Sequence, residues 1–385
     1  MNTPSPAHPE EAIFARALVR PAAQRGAYLE QVCGADAELR RAVEALLRAH
    51  EDERAFMEVS ASSPAVNLLT LLRAARPAAE TAGDRLGRYK LLQKIGEGGC
   101  GTVYMAEQEE PVRRRVALKV IKLGMDTKEV IARFEAERQA LAMMDHPSIA
   151  RVFAAGETET GRPYFVMELV RGIKITNYCD QHSLPTAERL KLFAQVCHAV
   201  QHAHQKGVIH RDLKPSNILV TLHDGEPLPK VIGFGIAKAT QGRLTDATLF
   251  TAFEQFIGTP AYMSAEQAQL SSMAVDTRSD IYSLGVLLYE LLTGRTPFEP
   301  KELMQAGIDA MRRQIREVEP VRPSTRLRAL DAATLTTTAQ CRKVEAPKLI
   351  NLINGDLDWI VMRCLDKDRT RRYDTAVSIA HDLRR

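Results

Sequence analysis

The amino-acid sequence predicts an α+β fold with two lobes, a small strand-rich lobe and a large helical lobe, and a short helical segment ahead of them. Three observations predict this arrangement. Residues 89–168 contain short runs of strand type around a glycine-rich stretch. The segments after residue 172 repeat apolar residues at helical spacing. The first 85 residues contain no lysine and are dominated by alanine, arginine, leucine and glutamate.

Composition bounds the class of protein. A chain of 385 residues is long enough for a two-lobed domain plus an appendage, and 45% hydrophobic with 26% charged residues is ordinary for a soluble protein. The net charge of +4 gives no case for a nucleic-acid partner. No apolar run approaches the roughly 18 residues that span a bilayer, and the N-terminus does not resemble a signal peptide. The six cysteines lack metal-ligand spacing. We therefore expect a cytoplasmic protein without a membrane segment.

The N-terminal segment is predicted to be a small helical bundle. Helices are plausible at residues 10–33 and 36–57, and the second places Leu39, Val43, Leu46 and Leu47 on one face. We predict a helical extension at 1–75, a linker at 76–88 rich in small residues, and the main domain at 89–385. The segment contains no catalytic constellation, and a docking surface for a partner of residues 1–85 is the functional alternative.

The glycine-rich stretch is the first motif of the main domain. Residues 96–101 read GEGGCG, with Gly96, Gly98 and Gly101 in the Gly-x-Gly-x-x-Gly pattern. Dinucleotide-binding folds share this pattern but need a helix directly after it. Here residues 102–106 have strand character, so the glycines are expected at a hairpin tip. Without side chains there, backbone N–H groups can approach phosphate oxygens.

Three further segments follow in order. Residues 116–121 form a strand that carries Ala117 and Lys119, and the helix at 127–144 offers Glu137 as an acidic partner for the lysine, with Glu135 as the alternative. Residues 164–168 form another strand that leads into a linking segment. The helix at 187–206 carries three histidines, but it also carries core residues, so we expect no metal there.

The most informative stretch is 208–217, VIHRDLKPSN, before the strand-like residues 218–220. A lone Asp-x-x-x-x-Asn is more often a buried turn that bonds its own backbone. Six matching positions in one run, with partner motifs in order, favour a catalytic loop. Over residues 89–385, about three-quarters of the chain, the sequence resembles a bacterial serine/threonine protein kinase of the eukaryotic (Hanks) type.

The resemblance implies a two-lobed protein kinase fold, with the N-lobe at about 89–168 and the C-lobe at about 172–385. It implies ATP with Mg²⁺ or Mn²⁺ as cofactors and a protein substrate with Ser or Thr. Asp212 would accept the proton of the substrate hydroxyl, Lys214 would neutralise the transferring phosphate, and Asn217 would hold the metal. The residues expected to bind ATP are Ile95, Gly96, Gly98, Gly101, Val103, Ala117, Lys119, Glu137, Met167, Glu168 and Val170.

Other residues take roles from the same resemblance. Asp280 would anchor the backbone of the catalytic loop, and Glu266 would pair with an arginine, Arg372 being the candidate. Arg211 implies a pocket for a phosphate on the activation segment, for which the candidate threonines are Thr245, Thr248 and Thr251.

The chain departs from the kinase pattern at two positions. Gly233 stands where the magnesium-binding aspartate of Asp-Phe-Gly is expected, and Ala265 replaces the proline before Glu266. The loss at 233 matters more because glycine offers no metal ligand. The resemblance therefore predicts a kinase for signal transduction that is impaired by Gly233. The alternative is a pseudokinase that acts as a nucleotide-binding or scaffold module.

Overall fold

A computed structural model describes residues 80–98, 101–121, 141, 143–234, 260–269 and 276–385, together with residues 28, 29, 32, 33, 40 and 43. The chain divides into two compact units, residues 1–79 and 80–385. In the first unit all six described residues are helical, and Leu29, Cys33 and Val43 are buried. These positions fall within the helices predicted at 10–33 and 36–57.

The second unit begins inside the predicted linker. Residues 80–88 belong to this unit, and two of them form a short strand, whereas the sequence predicts a linker that extends to residue 88. The Tyr104 hydroxyl donates to the carbonyl of Glu80, and the Glu80 carboxylate pairs with the buried Arg162. The chain is thus tied to the sheet from Glu80 onward.

A six-stranded antiparallel sheet forms the small lobe. Its strands are β1 (Arg85–Leu86), β2 (Tyr89–Gly98), β3 (Gly101–Gln108), β4 (Arg114–Ile121), β5 (Val152–Glu157) and β6 (Pro163–Glu168), in the order β1-β2-β3-β4-β6-β5. One cluster of buried side chains from β1–β4 and β6 packs together, including Leu91, Leu118 and Val166, none of which is exposed. Alternation along the strands places these residues on one side of the sheet.

The glycine-rich stretch lies at the tip of the β2–β3 hairpin. Gly98 pairs with Gly101 across the two antiparallel strands, and β3 continues as a strand through Gln108. The predicted hairpin is confirmed, and the helix that a dinucleotide site requires after the glycines does not form. A Cβ added at Gly101 would overlap the carbonyl oxygen of Val120 on β4, whereas one added at Gly98 would meet no atom within 4 Å.

This difference makes Gly101→Ala and Gly98→Ala a matched pair. We expect Gly101→Ala to destabilise the protein by about 1–3 kcal/mol, because β3 must move away from β4 to make room for the methyl group. Gly98→Ala is expected to change the free energy of unfolding by less than about 1 kcal/mol. Urea unfolding of both variants measures the difference; equal losses would contradict the close approach at Gly101.

The large lobe is mainly helical. Its helices are α1 (Ile175–Gln181), α2 (Thr186–Gln205), α3 (Ala265–Ala268), α4 (Thr277–Thr293), α5 (Pro300–Gln305), α6 (Ile308–Glu317), α7 (Pro323–Arg328), α8 (Ala332–Gln340), α9 (Ala346–Ile353), α10 (Asp356–Cys364) and α11 (Ala376–Arg384). Nearly every residue of α4 is buried, and Asp276 caps its start by accepting from the Arg278 N–H. Across the described part of the chain, no helix has both the length and the apolar character to cross a membrane.

A second, three-stranded sheet lies within the large lobe. Strands β7 (Ile173–Lys174), β8 (Ile218–His223) and β9 (Glu226–Val231) follow the order β7-β8-β9. Because β8 starts directly after Asn217 and β9 leads to Gly233, this sheet holds the two ends of the candidate site side by side. The turn Pro215–Asn217 connects the catalytic loop to β8 as a short 3₁₀ helix.

Candidate active site

The three residues predicted to act in catalysis lie together. The Lys214 Nζ is 2.9 Å from Oδ1 of Asp212, and the Asn217 Nδ2 donates to Oδ2 of Asp212 at 3.0 Å. The same Nδ2 donates to the Asp212 carbonyl oxygen at 2.7 Å, so the side chain of Asn217 joins the two ends of the segment 212–217. The Asp212 side chain is 47% exposed, which leaves its carboxylate open to a substrate.

The catalytic loop is anchored by a buried carboxylate, as predicted. Oδ2 of Asp280 accepts from the His210 N–H and Oδ1 accepts from the Arg211 N–H, both at 2.8 Å. Arg211 has a φ of +66°, a left-handed conformation that is costly for a residue other than glycine. The two hydrogen bonds to Asp280, with one from the Gln267 Nε2 to the Arg211 carbonyl, hold that conformation.

The ring of His210 connects the loop to the segment before Gly233. Its Nδ1 lies 3.3 Å from the Asp212 N–H, and its Nε2 lies 3.0 Å from the Ile232 carbonyl oxygen. Because a carbonyl oxygen only accepts, Nε2 donates to it, and Nδ1 accepts from the Asp212 N–H. A ring whose Nδ1 accepts carries one proton, so His210 is neutral. Complete burial lowers the pKa of His210, which agrees with this state. The ring packs edge-on against Phe234 with centroids 4.6 Å apart.

Gly233 lies next to Asn217 in space. The Ile232 N–H donates to the Asn217 carbonyl at 2.9 Å. The backbone directly before Gly233 therefore lies beside the backbone of Asn217. Gly233 has a φ of +85°, and a Cβ placed there would meet no atom within 4 Å. A side chain at this position would therefore begin in open space.

The strands of the small lobe present the residues predicted to bind ATP. Lys119 on β4 is half-buried and stands in register with Val103 of β3 and Phe165 of β6. Ala117 pairs with Met167, and both side chains are buried in the main core. Ile95, by contrast, is 47% exposed near the hairpin tip. Glu137, with its alternative Glu135, lies outside the described residues, so its pairing with Lys119 stays a prediction.

The linking segment carries an ion pair that the sequence did not suggest. The Glu168 carboxylate binds the Lys230 Nζ at 2.8 Å and also accepts from the Arg151 N–H at 3.3 Å. The Glu168 N–H donates to the Arg151 carbonyl at 2.8 Å and is therefore not available to an adenine. Val170, also predicted to contact ATP, follows two residues after the end of β6 and is half-buried.

Glu266, at the end of the predicted activation segment (residues 233–266), is held by a buried ion pair. Arg372 donates to both oxygens of Glu266, at 2.8 and 2.9 Å, and the Ser279 hydroxyl donates to the same carboxylate at 2.6 Å. The predicted partner of Glu266 is confirmed. Ala265 opens helix α3, which Ser264 and Gln267 cap reciprocally. Thr245, Thr248 and Thr251 lie outside the described residues, so the predicted phosphate pocket remains a prediction.

One contact of α2 has no signal in the sequence. The sequence presents the three histidines of this helix, His198, His202 and His204, only as possible metal ligands, and no metal is expected there. Among the described residues, no group of three or more His, Cys, Asp or Glu could hold a metal. Instead, the His204 Nε2 lies 2.7 Å from Oδ2 of Asp280. Asp280 also accepts from the His210 N–H. It lies 76 residues after His204, and nothing in the spacing of the two histidines predicts that they share this partner.

The matching family model is a protein kinase domain, and it covers residues 89–383. The serine/threonine-protein kinase PknB of Mycobacterium leprae is 35% identical over 302 residues, which cover 77% of this chain and 42% of that protein. The serine/threonine-protein kinase Pkn1 of Myxococcus xanthus is 36% identical over 253 residues, 65% of this chain and 34% of that protein. The chain thus spans less than half the length of these relatives.

Solved structures give the same fold. The crystal structure of the Mycobacterium tuberculosis PknI kinase domain aligns with 80% of this chain and 99% of its own, with a TM-score of 0.55 and 22% sequence identity. At 22% sequence identity, this structural similarity supports the fold alone. The strand-rich small lobe and the helical large lobe predicted from the sequence are therefore confirmed.

Proposed function

The chain belongs to the protein kinase family, and on this premise we propose that it transfers the γ-phosphate of ATP to serine or threonine hydroxyls of proteins. The observation that carries the proposal is the contact of Asp212 with Lys214 and Asn217. Serine/threonine specificity follows from the named relatives and from lysine two residues after the aspartate. The proposal includes a protein partner that docks on residues 1–85.

The residues of the loop have distinct tasks in this proposal. Asp212 accepts the proton of the attacking hydroxyl, since its carboxylate is half-exposed and oriented by Asn217. Lys214 contacts Asp212 and would stabilise the charge that develops on the transferring phosphate. Lys119, on the facing sheet, binds the phosphates of ATP. Most of the rate enhancement then comes from positioning and charge stabilisation.

Magnesium or manganese fits the donor set only in part. The Nδ2 of Asn217 donates to Asp212, which leaves its Oδ1 as the donor for a cation. Position 233 has no side-chain oxygen to add. When bound, the metal would neutralise the charge of the ATP phosphates. We propose that Asn217 and the phosphate oxygens hold it, with lower affinity than a site that includes a carboxylate at 233.

Gly233 is also the observation that favours a second function. A pseudokinase that binds nucleotide and signals through its conformation needs the cleft but not the second metal ligand. Removal of one electrostatic stabiliser of a transition state costs on the order of 3 kcal/mol, about a hundredfold in rate. Such a loss leaves a weakened kinase measurable, so we place the impaired kinase first.

The test is γ-phosphate transfer to the protein itself and to a generic basic protein, with Mg²⁺ and with Mn²⁺. We expect slow transfer that falls by at least about a hundredfold in Asp212→Ala, because the general base is lost. ATP binding, measured by calorimetry, should be similar in the parent and in Asp212→Ala. Absence of transfer with both metals, together with intact ATP binding, would support the pseudokinase. Absence of ATP binding would overturn the kinase and the nucleotide-binding pseudokinase, and would leave only a scaffold role.

A further inference from the structure

We propose that Glu80 is a positioning residue for the glycine-rich hairpin of β2 and β3, which it holds in place through Tyr104 and Arg162; the expected effect on ATP rests on the proposed function. Glu80 lies ahead of the matched kinase domain, which begins at residue 89, and directly after the first unit, residues 1–79. Three contacts of the segment 80–84, which we call the brace, carry the inference.

The first contact is a buried ion pair. The Glu80 carboxylate pairs with Nη2 of Arg162, and the two side chains are 10% and 8% exposed. Thr158 fixes Arg162 in the connection between β5 and β6, since its N–H donates to the Arg162 carbonyl at 2.8 Å and its hydroxyl accepts from the Arg162 N–H at 3.0 Å. A buried guanidinium without its carboxylate is strongly unfavourable, so the pair holds Glu80 against this connection.

The second contact joins Glu80 to β3. The Tyr104 hydroxyl donates to the Glu80 carbonyl at 2.6 Å. Burial and the charge of Glu80 raise the pKa of Tyr104 above its ordinary value, so the hydroxyl keeps the proton that it donates. Tyr104 is buried and stands in register with Lys94 of β2 and Leu118 of β4. Its position therefore sets where β3 lies between its two neighbours.

The third contact joins the brace to β2. The Gly83 N–H donates to the Leu91 carbonyl, and the Leu91 N–H donates to the Asp84 carbonyl, both at 2.8 Å. The brace thus binds both strands of the hairpin. In the sheet, β4 and β6 separate this hairpin from β5. The ion pair with Arg162 is therefore a second connection between the hairpin and the far side of the sheet, one that does not pass through β4.

The hairpin needs this support because its strands can bend near their base. Between residues 91 and 96, β2 departs twice from a regular register with β3, and strands bend at such irregularities. Tyr104 pairs with Lys94 inside this stretch. Without the brace, the hairpin is free to move away from the phosphates that its backbone N–H groups are proposed to bind. The affinity for ATP then falls, whereas Asp212 and Lys214, in the large lobe, keep their contact.

The test compares variants of the ion pair in the full chain. Arg162→Met removes the cation, Glu80→Gln removes the anion, and the exchanged pair Glu80→Arg/Arg162→Glu restores the attraction with the charges reversed. Glu109→Gln is the matched control, since it removes an exposed ion pair with Arg85 of β1. Amide hydrogen exchange of peptides that cover residues 101–108 reports on β3 directly, without any need for catalysis.

We expect exchange in β3 to be faster by on the order of tenfold in Arg162→Met and Glu80→Gln, the effect of one lost hydrogen bond to a charged group. The exchanged pair should recover most of the protection, and Glu109→Gln should leave it unchanged. The dissociation constant of ATP, measured by calorimetry, should rise in the two single variants. In transfer assays KM for ATP should rise with kcat unchanged, a split that a loss of global stability alone would not produce.

The inference would be overturned by unchanged exchange in both single variants, by an equal effect of Glu109→Gln, by no recovery in the exchanged pair, or by faster exchange with an unchanged affinity for ATP. If neither single variant folds, Tyr104→Phe decides by the same measurements, since it removes the hydroxyl contact to Glu80. Absence of ATP binding in the parent would contradict the proposed function instead, and the exchange rates would still decide whether Glu80 positions the hairpin.

Discussion

Replacement of Gly233 with aspartate is expected to raise magnesium-dependent phosphate transfer by at least about a hundredfold, the effect of adding one electrostatic stabiliser of the transition state. The carboxylate would join Oδ1 of Asn217 at the metal. ATP affinity should then depend more strongly on Mg²⁺ in Gly233→Asp than in the parent. Calorimetric titration of ATP with and without Mg²⁺ measures this dependence apart from catalysis.

The backbone and the free space at position 233 can accommodate an aspartate side chain. A Cβ there meets no atom within 4 Å, and the Ile232 N–H donates to the carbonyl of Asn217, so the backbone before Gly233 lies beside the proposed metal ligand. The φ of +85° disfavours most side chains, but aspartate and asparagine are among the residues that adopt the left-handed region. We expect a stability cost of about 1 kcal/mol for either residue.

Gly233→Asn is the matched control. It has the size and backbone preference of aspartate but brings no negative charge, so it should give much less than the aspartate gain in transfer. Asp212→Ala added to Gly233→Asp should remove the gained activity, since the general base is lost. A Gly233→Asp chain no more active than Gly233→Asn would show that the missing carboxylate is not what limits this site.

Arg372→Met is expected to destabilise the protein by about 3–5 kcal/mol, because it leaves a buried carboxylate without its cation. Glu266 and Arg372 are both buried, and Arg372 also donates to the carbonyls of Asp366 and Arg278. Methionine keeps most of the arginine's length and removes the charge. Urea unfolding measures the loss.

The double variant Glu266→Gln/Arg372→Met is the control for this ion pair. It should recover part of the stability lost in Arg372→Met, since no charge is left buried alone. If Arg372→Met and the double variant were equally unstable, loss of the arginine's backbone contacts would explain the effect and the ion pair would not.

The pH dependence of stability follows from the same pair. Burial would raise the pKa of Glu266, but hydrogen bonds from Arg372 and Ser279 outweigh it, so the pKa lies below the ordinary 4.5. A carboxyl group with a lowered pKa contributes stability that is present above pH 4.5 and is lost as pH falls through the folded-state pKa. The parent should therefore lose more stability between pH 5 and pH 3 than the double variant does.

The sequence by itself determined the fold family and predicts the position of the catalytic loop. The glycine hairpin, the strand with Lys119 and the Asp212–Asn217 run are local patterns, and each carries its chemistry within a few residues. Even two distant partners, Asp280 with the catalytic loop and Glu266 with Arg372, could be predicted, since the resemblance to kinases supplied them. The glycine at position 233, where the resemblance leads us to expect an aspartate, is noticed for the same reason, because a motif states which residue is expected at each of its positions.

Only the tertiary structure decided which other residues support that site. His204 and Asp280 are 76 residues apart, and Glu168 and Lys230 are 62 residues apart. No local pattern joins either pair, because each is brought together by packing of whole elements. The overlap that a Cβ on Gly101 would make with Val120 and the open space at Gly233 are likewise properties of neighbouring strands and loops. Hydrogen bonds and close contacts depend on distances in space, and those distances arise only when the helices and strands pack.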